Sequence, residues 1–244
     1  MKRQKPEPPV QWLANQKALS NPQSQLAKEL FPPGLGQHIR RLHSDIPGYR
    51  MSPLKGLPRL ASRLGLGGIW VKDESERLTL NSFKVLGGAY AIYRRLLQRA
   101  GLDEEQISLR DVLSLTGNIR EKLGHPIFCT ATDGNHGRGV AWAANKMGFR
   151  SIIYVHKLTT KDRIRAIERE GGEVRVVDGN YDDAVRQANI DAKANGWDVI
   201  SDTSWEGYED VPKWIMQGYA TMFVETQEQF AAMGIMRPSH LFVQ

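Results

Sequence analysis

The chain has 244 residues, 41% of them hydrophobic and 25% charged, with a net charge of +6. That composition suits one large domain or two modest ones with a packed core. No apolar run reaches the roughly 18–20 residues of a membrane-spanning helix, the basic start "MKRQKPEPPVQWLANQK" lacks the apolar stretch of a secretory signal, and a lone cysteine, Cys129, excludes an internal disulfide and fits a reducing cytosol.

The first 50 residues are irregular, broken by "PEPP" and "FPPG", with a short polar helix expected around 22–30; they read as a wrapping segment. In "SPLKGLPRLASRLGL", Leu57, Leu60, Leu64 and Leu66 fall near helical spacing and predict a buried face. "GIWVKDES" predicts a strand ending in an acidic turn. Asn81 or Ser82 would cap a helix over 83–99, with Phe83, Leu86, Tyr90, Tyr93 and Leu97 on one apolar face. Residues 100–126 predict a loop and a short helix. From residue 127 the pattern is regular. "IFCTAT" is a strand, "RGVAWAANKM" a helix closed by Gly148, and "SIIYVH" a strand. "TTKDRIRAIERE" is a helix with Thr159 and Asp162 at capping-box spacing, stopped by Gly171 and Gly172. "VRVVDG" is a strand, "YDDAVRQANIDAKANG" a helix, "WDVIS" a strand. Strands and helices alternating in this way predict βαβ units and a parallel sheet covered on both faces. A last apolar strand is expected at "HLFVQ", residues 240–244, which leaves that part of the architecture incomplete.

Ligands of parallel α/β sheets bind beyond the carboxyl ends of strands, and three such ends are conspicuous: "WVKDESERLTLNSFK", "TATDGNHGRG" and "VISDTSW". In the second, three glycines lead from a strand into a helix, where unpaired N–H groups and the dipole favour an anion. The spacing G-x-x-G-x-G is neither a dinucleotide fingerprint nor a P-loop. A tight turn without any ligand explains it equally well. Lys84, in "NSFKVLGGAYA", stands at the start of a helix among apolar neighbours. A lysine there can simply pack its stem and send its amine to water. Yet both the helix dipole and burial favour the neutral, nucleophilic form of an amine in that position, the form that makes a Schiff base. No His/Cys spacing suggests a metal site. The basic residues are dispersed among acids, as in "KDRIRAIEREG", without base-stacking aromatics, so no nucleic-acid partner is expected.

"KDESERLTLNSFKVLGGAYA", "ATDGNHGRGVAWAA" and "SDTSWEGY" together resemble the diaminopropionate ammonia-lyases, over roughly residues 45–244. These belong to the fold-type-II pyridoxal-phosphate enzymes, with threonine dehydratase, threonine synthase and the tryptophan synthase β-subunit. Asp133, where relatives more often carry serine, and "DTSW" point to the ammonia-lyase branch; "MSPL" at 51–54 departs from the usual Thr-Pro-Leu. The resemblance implies two open parallel-sheet αβα domains. A large pyridoxal-phosphate domain would hold 1–90 and, incompletely, 205–244; a small one would hold 91–204. It implies that Lys84 holds pyridoxal 5'-phosphate covalently, that Asn135 meets the phenolic oxygen of its ring, and that Gly134, His136 and Gly137 lie along the cofactor and the substrate carboxylate. His136 could equally be a structural turn residue. Asp133 and Asp202 would be the acid–base groups, on opposite faces of the substrate. The implied reaction is α,β-elimination of 2,3-diaminopropionate to pyruvate and ammonia, by a cytoplasmic homodimer. Family members are longer, with a glycine-rich phosphate loop after the strand matching "HLFVQ". A threonine or serine dehydratase of the same superfamily and a non-catalytic remnant remain as alternatives.

Overall fold

The computed structural model describes residues 25–104, 106–114, 118–132 and 134–243; residues 1–24 of the expected wrapping segment lie outside them, residues 22–24 of the expected first helix included. The described residues up to Pro33 belong to one unit, in which helix α1 (Gln25–Leu30) is the described element, and those from Gly34 onward to the second, which carries the sheet.

The second unit opens with α2 (Leu35–Ser44), which buries Ile39, Leu42 and His43. Strands β1 (Leu54–Gly56) and β2 (Trp70–Lys72) then pair antiparallel on either side of α3 (Pro58–Leu64). The leucine face expected there does not form: Ala61 is the buried residue of α3, while Leu60, Leu64 and Leu66 are 43%, 57% and 54% exposed. The helix is too short for it. Pro58 starts it and Gly65, left-handed at φ 65°, ends it, so Leu57 and Leu66 fall outside. A short 3-10 segment (Glu74–Thr79) leads into α4 (Lys84–Ala100), whose first amide bonds the Ser82 hydroxyl at 3.3 Å. Leu86, Tyr90, Tyr93 and Leu97 of α4 are buried, as the periodicity predicts, whereas Phe83 stands before the helix as its N-cap and is half-buried. Each of the buried four stabilises the fold by about 1.5–3 kcal/mol. Two short helices, α5 (Leu109–Ser114) and α6 (Asn118–Leu123), follow.

The regular alternation comes next: β3 (Ile127–Ala131), α7 (Asn135–Lys146), β4 (Arg150–His156), α8 (Lys161–Arg169), β5 (Glu173–Val177), α9 (Tyr181–Asn195) and β6 (Asp198–Val199). The four strands form a parallel sheet in the order β5-β4-β3-β6. Successive residues face opposite sides. Phe128, Ile153 and Val155 join the main core, whereas Cys129, Ile152 and Tyr154 pack with Ala184, Ala188 and Ala192 of α9. Those alanines recur every fourth residue, a small-residue stripe that seats α9 on the sheet. The capping box of α9 is real: Asn180 accepts from the Asp183 amide at 3.0 Å, and Asp183 accepts from the Asn180 amide at 2.8 Å. The one expected at Thr159 and Asp162 is not. The N-cap of α8 is Thr160, which moves the spacing by one residue, and the buried Thr159 hydroxyl makes no hydrogen bond.

The last two helices, α10 (Asp210–Gly218) and α11 (Ala220–Ala232), were not legible in the pattern. The expected strand at 240–244 is not formed by its described residues: 241–243 have no strand partner, and Phe242 is 92% exposed. A strand exists only as a paired element, and no other described strand lies alongside this one. Outside the four-stranded sheet, the β1–β2 ladder is the other sheet among the described residues.

Candidate active site

The sheet order builds outward from β3 in both directions. From β3 the chain steps to β4 and then β5, and it returns to the other side of β3 for β6. Such a reversal opens a crevice at the carboxyl ends of the two diverging strands. From β3 that end delivers Thr132 and, from Gly134 on, the start of α7; from β6 it delivers Ile200, Ser201 and Asp202. Pairing continues one residue past β6, where the Ile200 amide donates to Cys129 O at 2.8 Å.

Lys84 reaches the same place by helix packing. Helix α4 lies between α7 and α10, and glycines set how closely. A Cβ on Gly139 would sit 3.0 Å from the Val85 backbone, and one on Gly218 would sit 2.7 Å from Leu86 O. A Cβ on Gly87 would collide with the Tyr219 ring at 2.5 Å. The glycines after Lys84 are therefore notches for neighbouring helices. The Lys84 ammonium donates to Asp202 Oδ2 at 2.9 Å and stands 5.4 Å and 5.7 Å from the Tyr219 and Phe83 ring centres. The side chain is 30% exposed, so the amine is not sealed in the core as its apolar neighbours suggested. It meets a carboxylate and two aromatic rings at the crevice.

His136, in the first turn of α7, is buried and completes the group. Its Nε2 bonds Ile200 O at 2.8 Å, and since a carbonyl can only accept, Nε2 carries the proton. Its Nδ1 lies 3.7 Å from the same Asp202 Oδ2 that Lys84 touches, and makes no hydrogen bond. Burial pushes the His136 imidazole below its ordinary pKa, against the pull of Asp202. Burial works the other way on Asp202, yet His136 and the hydrogen-bonded Lys84 hold that carboxyl below the usual range.

The glycine turn divides its labour. The Gly134 and Gly137 amides both donate to Thr132 Oγ1, at 3.0 and 3.1 Å, so one hydroxyl caps two N–H groups of the turn. Gly137 is buried where a Cβ would strike Thr132 and Ile153. Gly134 and the exposed Asn135 instead border a recess of about 230 Å³ that Arg138 and Arg163 also line. Arg138 is held at the recess by Glu170, at 2.7 Å, and by Leu80 O, at 3.1 Å. Asp133 lies outside the described residues, so the structure brings together Lys84, His136 and Asp202 of the expected acid–base and cofactor set.

Three supporting residues escaped the sequence reading. Tyr208 staples the Asp202 turn by donating to Val199 O at 2.9 Å and accepting from the Ser201 amide at 2.8 Å. Tyr219 backs Lys84, and its buried hydroxyl has no partner. Both sit in the stretch whose helices were unread. Arg77, buried before Lys84, bonds Glu225 at 2.7 and 2.8 Å and Glu74 at 2.8 Å, anchoring the approach to α4. Thr132 was within reach, because a hydroxyl residue two positions before a helix-opening glycine is a capping signal.

A family model described as "Pyridoxal-phosphate dependent enzyme" matches residues 46–244. The diaminopropionate ammonia-lyase of Salmonella typhimurium is 44% identical over 218 residues, 89% of this chain and 54% of the relative. The crystal structure of the Escherichia coli diaminopropionate ammonia-lyase in complex with D-serine superposes with a TM-score of 0.80 at 45% identity, covering 86% of this chain and 52% of that one. An L-threonine dehydratase of Salmonella typhimurium is 32% identical over 74% of this chain and 29% of its own length. The chain thus spans about half the length of the ammonia-lyases it matches. With a family model covering most of its length and the expected lysine standing at the crevice of a parallel sheet, the chain belongs to the pyridoxal-phosphate-dependent enzyme family.

Proposed function

We propose that this chain carries the catalytic lysine of an ammonia-lyase that eliminates ammonia from 2,3-diaminopropionate, with pyruvate and a second ammonia as final products. The observation that carries the reading is the Lys84–Asp202 pair, 2.9 Å apart at the switch point of the sheet. Identity of 44% to a diaminopropionate ammonia-lyase, against 32% to a threonine dehydratase, favours the diamino substrate.

The residues present fit pyridoxal phosphate. A lysine amine stands at the crevice, and two buried polar atoms beside it, His136 Nδ1 and Tyr219 Oη, have no partner. When bound, the cofactor supplies a ring that accepts electrons from the substrate's α-carbon. Lys84 would hold it through Nζ, and Asn135, exposed on the rim of the recess, would meet the ring oxygen. Gly134, His136 and Gly137 would border the cofactor, with Gly137 acting through packing. Lys84 Nζ would take a proton at the substrate's α-carbon. The β-amine leaves only as ammonia, so it needs an acid. Asp202, facing Lys84, would be that acid. Asp133 would be the second acid–base group on the resemblance alone.

This reading draws the site from both expected domains, Lys84 from 1–90 and Asp202 from 91–204, with 205–244 returning to the first. It includes a cytoplasmic homodimer, supported by the resemblance and by a lone, buried, unbridged cysteine. No helix among the described residues is long and apolar enough to cross a membrane. The test is product release by the protein with added pyridoxal phosphate. Pyruvate from 2,3-diaminopropionate at a rate well above that from serine, with little 2-oxobutyrate from threonine, is the expected result. Faster 2-oxobutyrate release from threonine would overturn it in favour of a dehydratase.

A further inference from the structure

One carboxylate oxygen of Asp202 faces two basic neighbours. Its Oδ2 bonds Lys84 Nζ at 2.9 Å and faces His136 Nδ1 at 3.7 Å. The ring cannot turn away, because Nε2–H is committed to Ile200 O at 2.8 Å. Nδ1 is therefore a bare lone pair, buried without a partner and aimed at a carboxylate oxygen. A lone pair facing an anion is an unstable arrangement unless a cation neutralises the anion or a proton joins them. Here the cation is the Lys84 ammonium. The charged groups acting on His136 are Asp202, at the end of β6, and Lys84, at the start of α4. Helix α7 itself places Arg138 two residues on, but that guanidinium is turned to Glu170 and Leu80 O.

We propose that His136 is a positioning residue and proton reserve for Asp202, loaded when Lys84 loses its charge. With the ammonium present, Asp202 is balanced and His136 stays neutral. When Lys84 becomes uncharged, the carboxylate is left with no cation beside it. His136 then takes a proton on Nδ1 from a buffer acid in solvent, which becomes its conjugate base, and closes onto Oδ2 as a charged hydrogen bond. The reserve is spent by transfer along the same line: the Nδ1–H bond breaks, the Oδ2–H bond forms, imidazolium becomes imidazole and carboxylate becomes carboxylic acid. Asp202 is then the acid that a departing amine requires. The use of that acid rests on the proposed lyase reading, but the coupling of His136 to the charge at Lys84 does not, and it can be measured without cofactor or substrate.

The experiment is a pH titration of the histidine side-chain nitrogens by NMR, on protein labelled with ¹⁵N histidine, the His136 signals being assigned with His136→Gln. In the unaltered protein, His136 should remain the neutral Nε2–H tautomer through neutral pH. In Lys84→Met its pKa should rise by about one unit or more, the shift an unbalanced nearby carboxylate produces. Lys84→Arg keeps the charge and should leave His136 as in the unaltered protein. Adding Asp202→Asn to Lys84→Met should abolish the rise. The buried His43 serves as an internal sign that each variant is folded. An unchanged His136 in Lys84→Met overturns the proposal. So does an equal rise in Lys84→Arg, which would make the effect one of packing, or a rise that persists without the Asp202 carboxylate. Failure of the product assay with normal coupling would refute the lyase reading alone.

Discussion

At the scale of single residues, the site depends on what each buried group is allowed to protonate. Asp202→Asn keeps the shape of the side chain and removes its acid–base function. We expect ammonia release from diaminopropionate to fall by about 10²–10⁴-fold while cofactor absorbance is retained; steady-state kinetics beside a visible spectrum separates the two. His43 shows how far burial can go. It bonds Thr221 Oγ1 at 2.7 Å and Leu86 O at 3.1 Å, and burial, aided by Arg77, lowers its pKa from 6.5 to about 3. The unfolded chain therefore binds the extra proton first. The stabilisation is complete above pH 6.5 and is lost as pH falls toward 3, at up to about 1.4 kcal/mol per pH unit. Glu225 acts lower. Burial would raise it, but hydrogen bonds from Arg77, Lys72 and Tyr49 bring it from 4.5 to about 2. Urea titrations between pH 5 and 6.5 isolate the histidine contribution: the slope of stability with pH should shrink in His43→Gln, and an unchanged slope would show that His43 does not cause it.

Among elements, the close approach of α4 to α7 and the anchoring of the strand-to-helix turn before Lys84 decide where the amine stands. Gly139→Ala forces a Cβ to 3.0 Å from the Val85 backbone, which has no flexible end to move aside. We expect about 1–3 kcal/mol of destabilisation by urea midpoint. Gly134→Ala is the control: nothing lies within 4 Å of its Cβ and its φ of 177° is open to any residue, so stability should change by less than about 0.5 kcal/mol. The turn itself holds Leu78, Thr79 and Asn81 at positive φ, a costly conformation for residues with side chains. The Arg77 cluster over-determines it, tying residues 50–52, the 3-10 segment and α11 together. Glu225→Gln leaves a buried guanidinium short of charge and should cost about 3–5 kcal/mol. Much of this scale was legible beforehand, because amphipathic spacing and glycine stops mark α4, α7 and α9 directly. Where elements were missed or misplaced, the deciding term was tertiary. The leucines around α3 have the spacing but not the helix length, α10 is short and carries Pro212 in its first turn, and α11 carries apolar residues on too many sides for one stripe to stand out.

Across the whole molecule, the alternation of strands and helices from residue 127 predicts a parallel sheet, and the sheet was there to be read. Strand order was not. Nothing in the residues says that β6 returns beside β3, yet that return brings Asp202 to within 3.7 Å of His136, 66 positions earlier in the chain, and to within 2.9 Å of Lys84, 118 positions earlier. Local pattern carries no information on such distant pairs, so the residues alone nominate Lys84, His136 and Asp202 separately, and only the family resemblance joins them. Tyr219 is a sharper case, because its place beside Lys84 depends on tertiary packing that no local pattern announces.

The central claim is that Lys84 is the amine which binds an aldehyde at this crevice. Incubation with pyridoxal phosphate, reduction with borohydride and mass-spectrometric mapping of the proteolytic peptides tests it directly. The account predicts a stoichiometric pyridoxyl label on Lys84, absent in Lys84→Met. A label spread over surface lysines, or concentrated on another one with Lys84 unmodified, would contradict it.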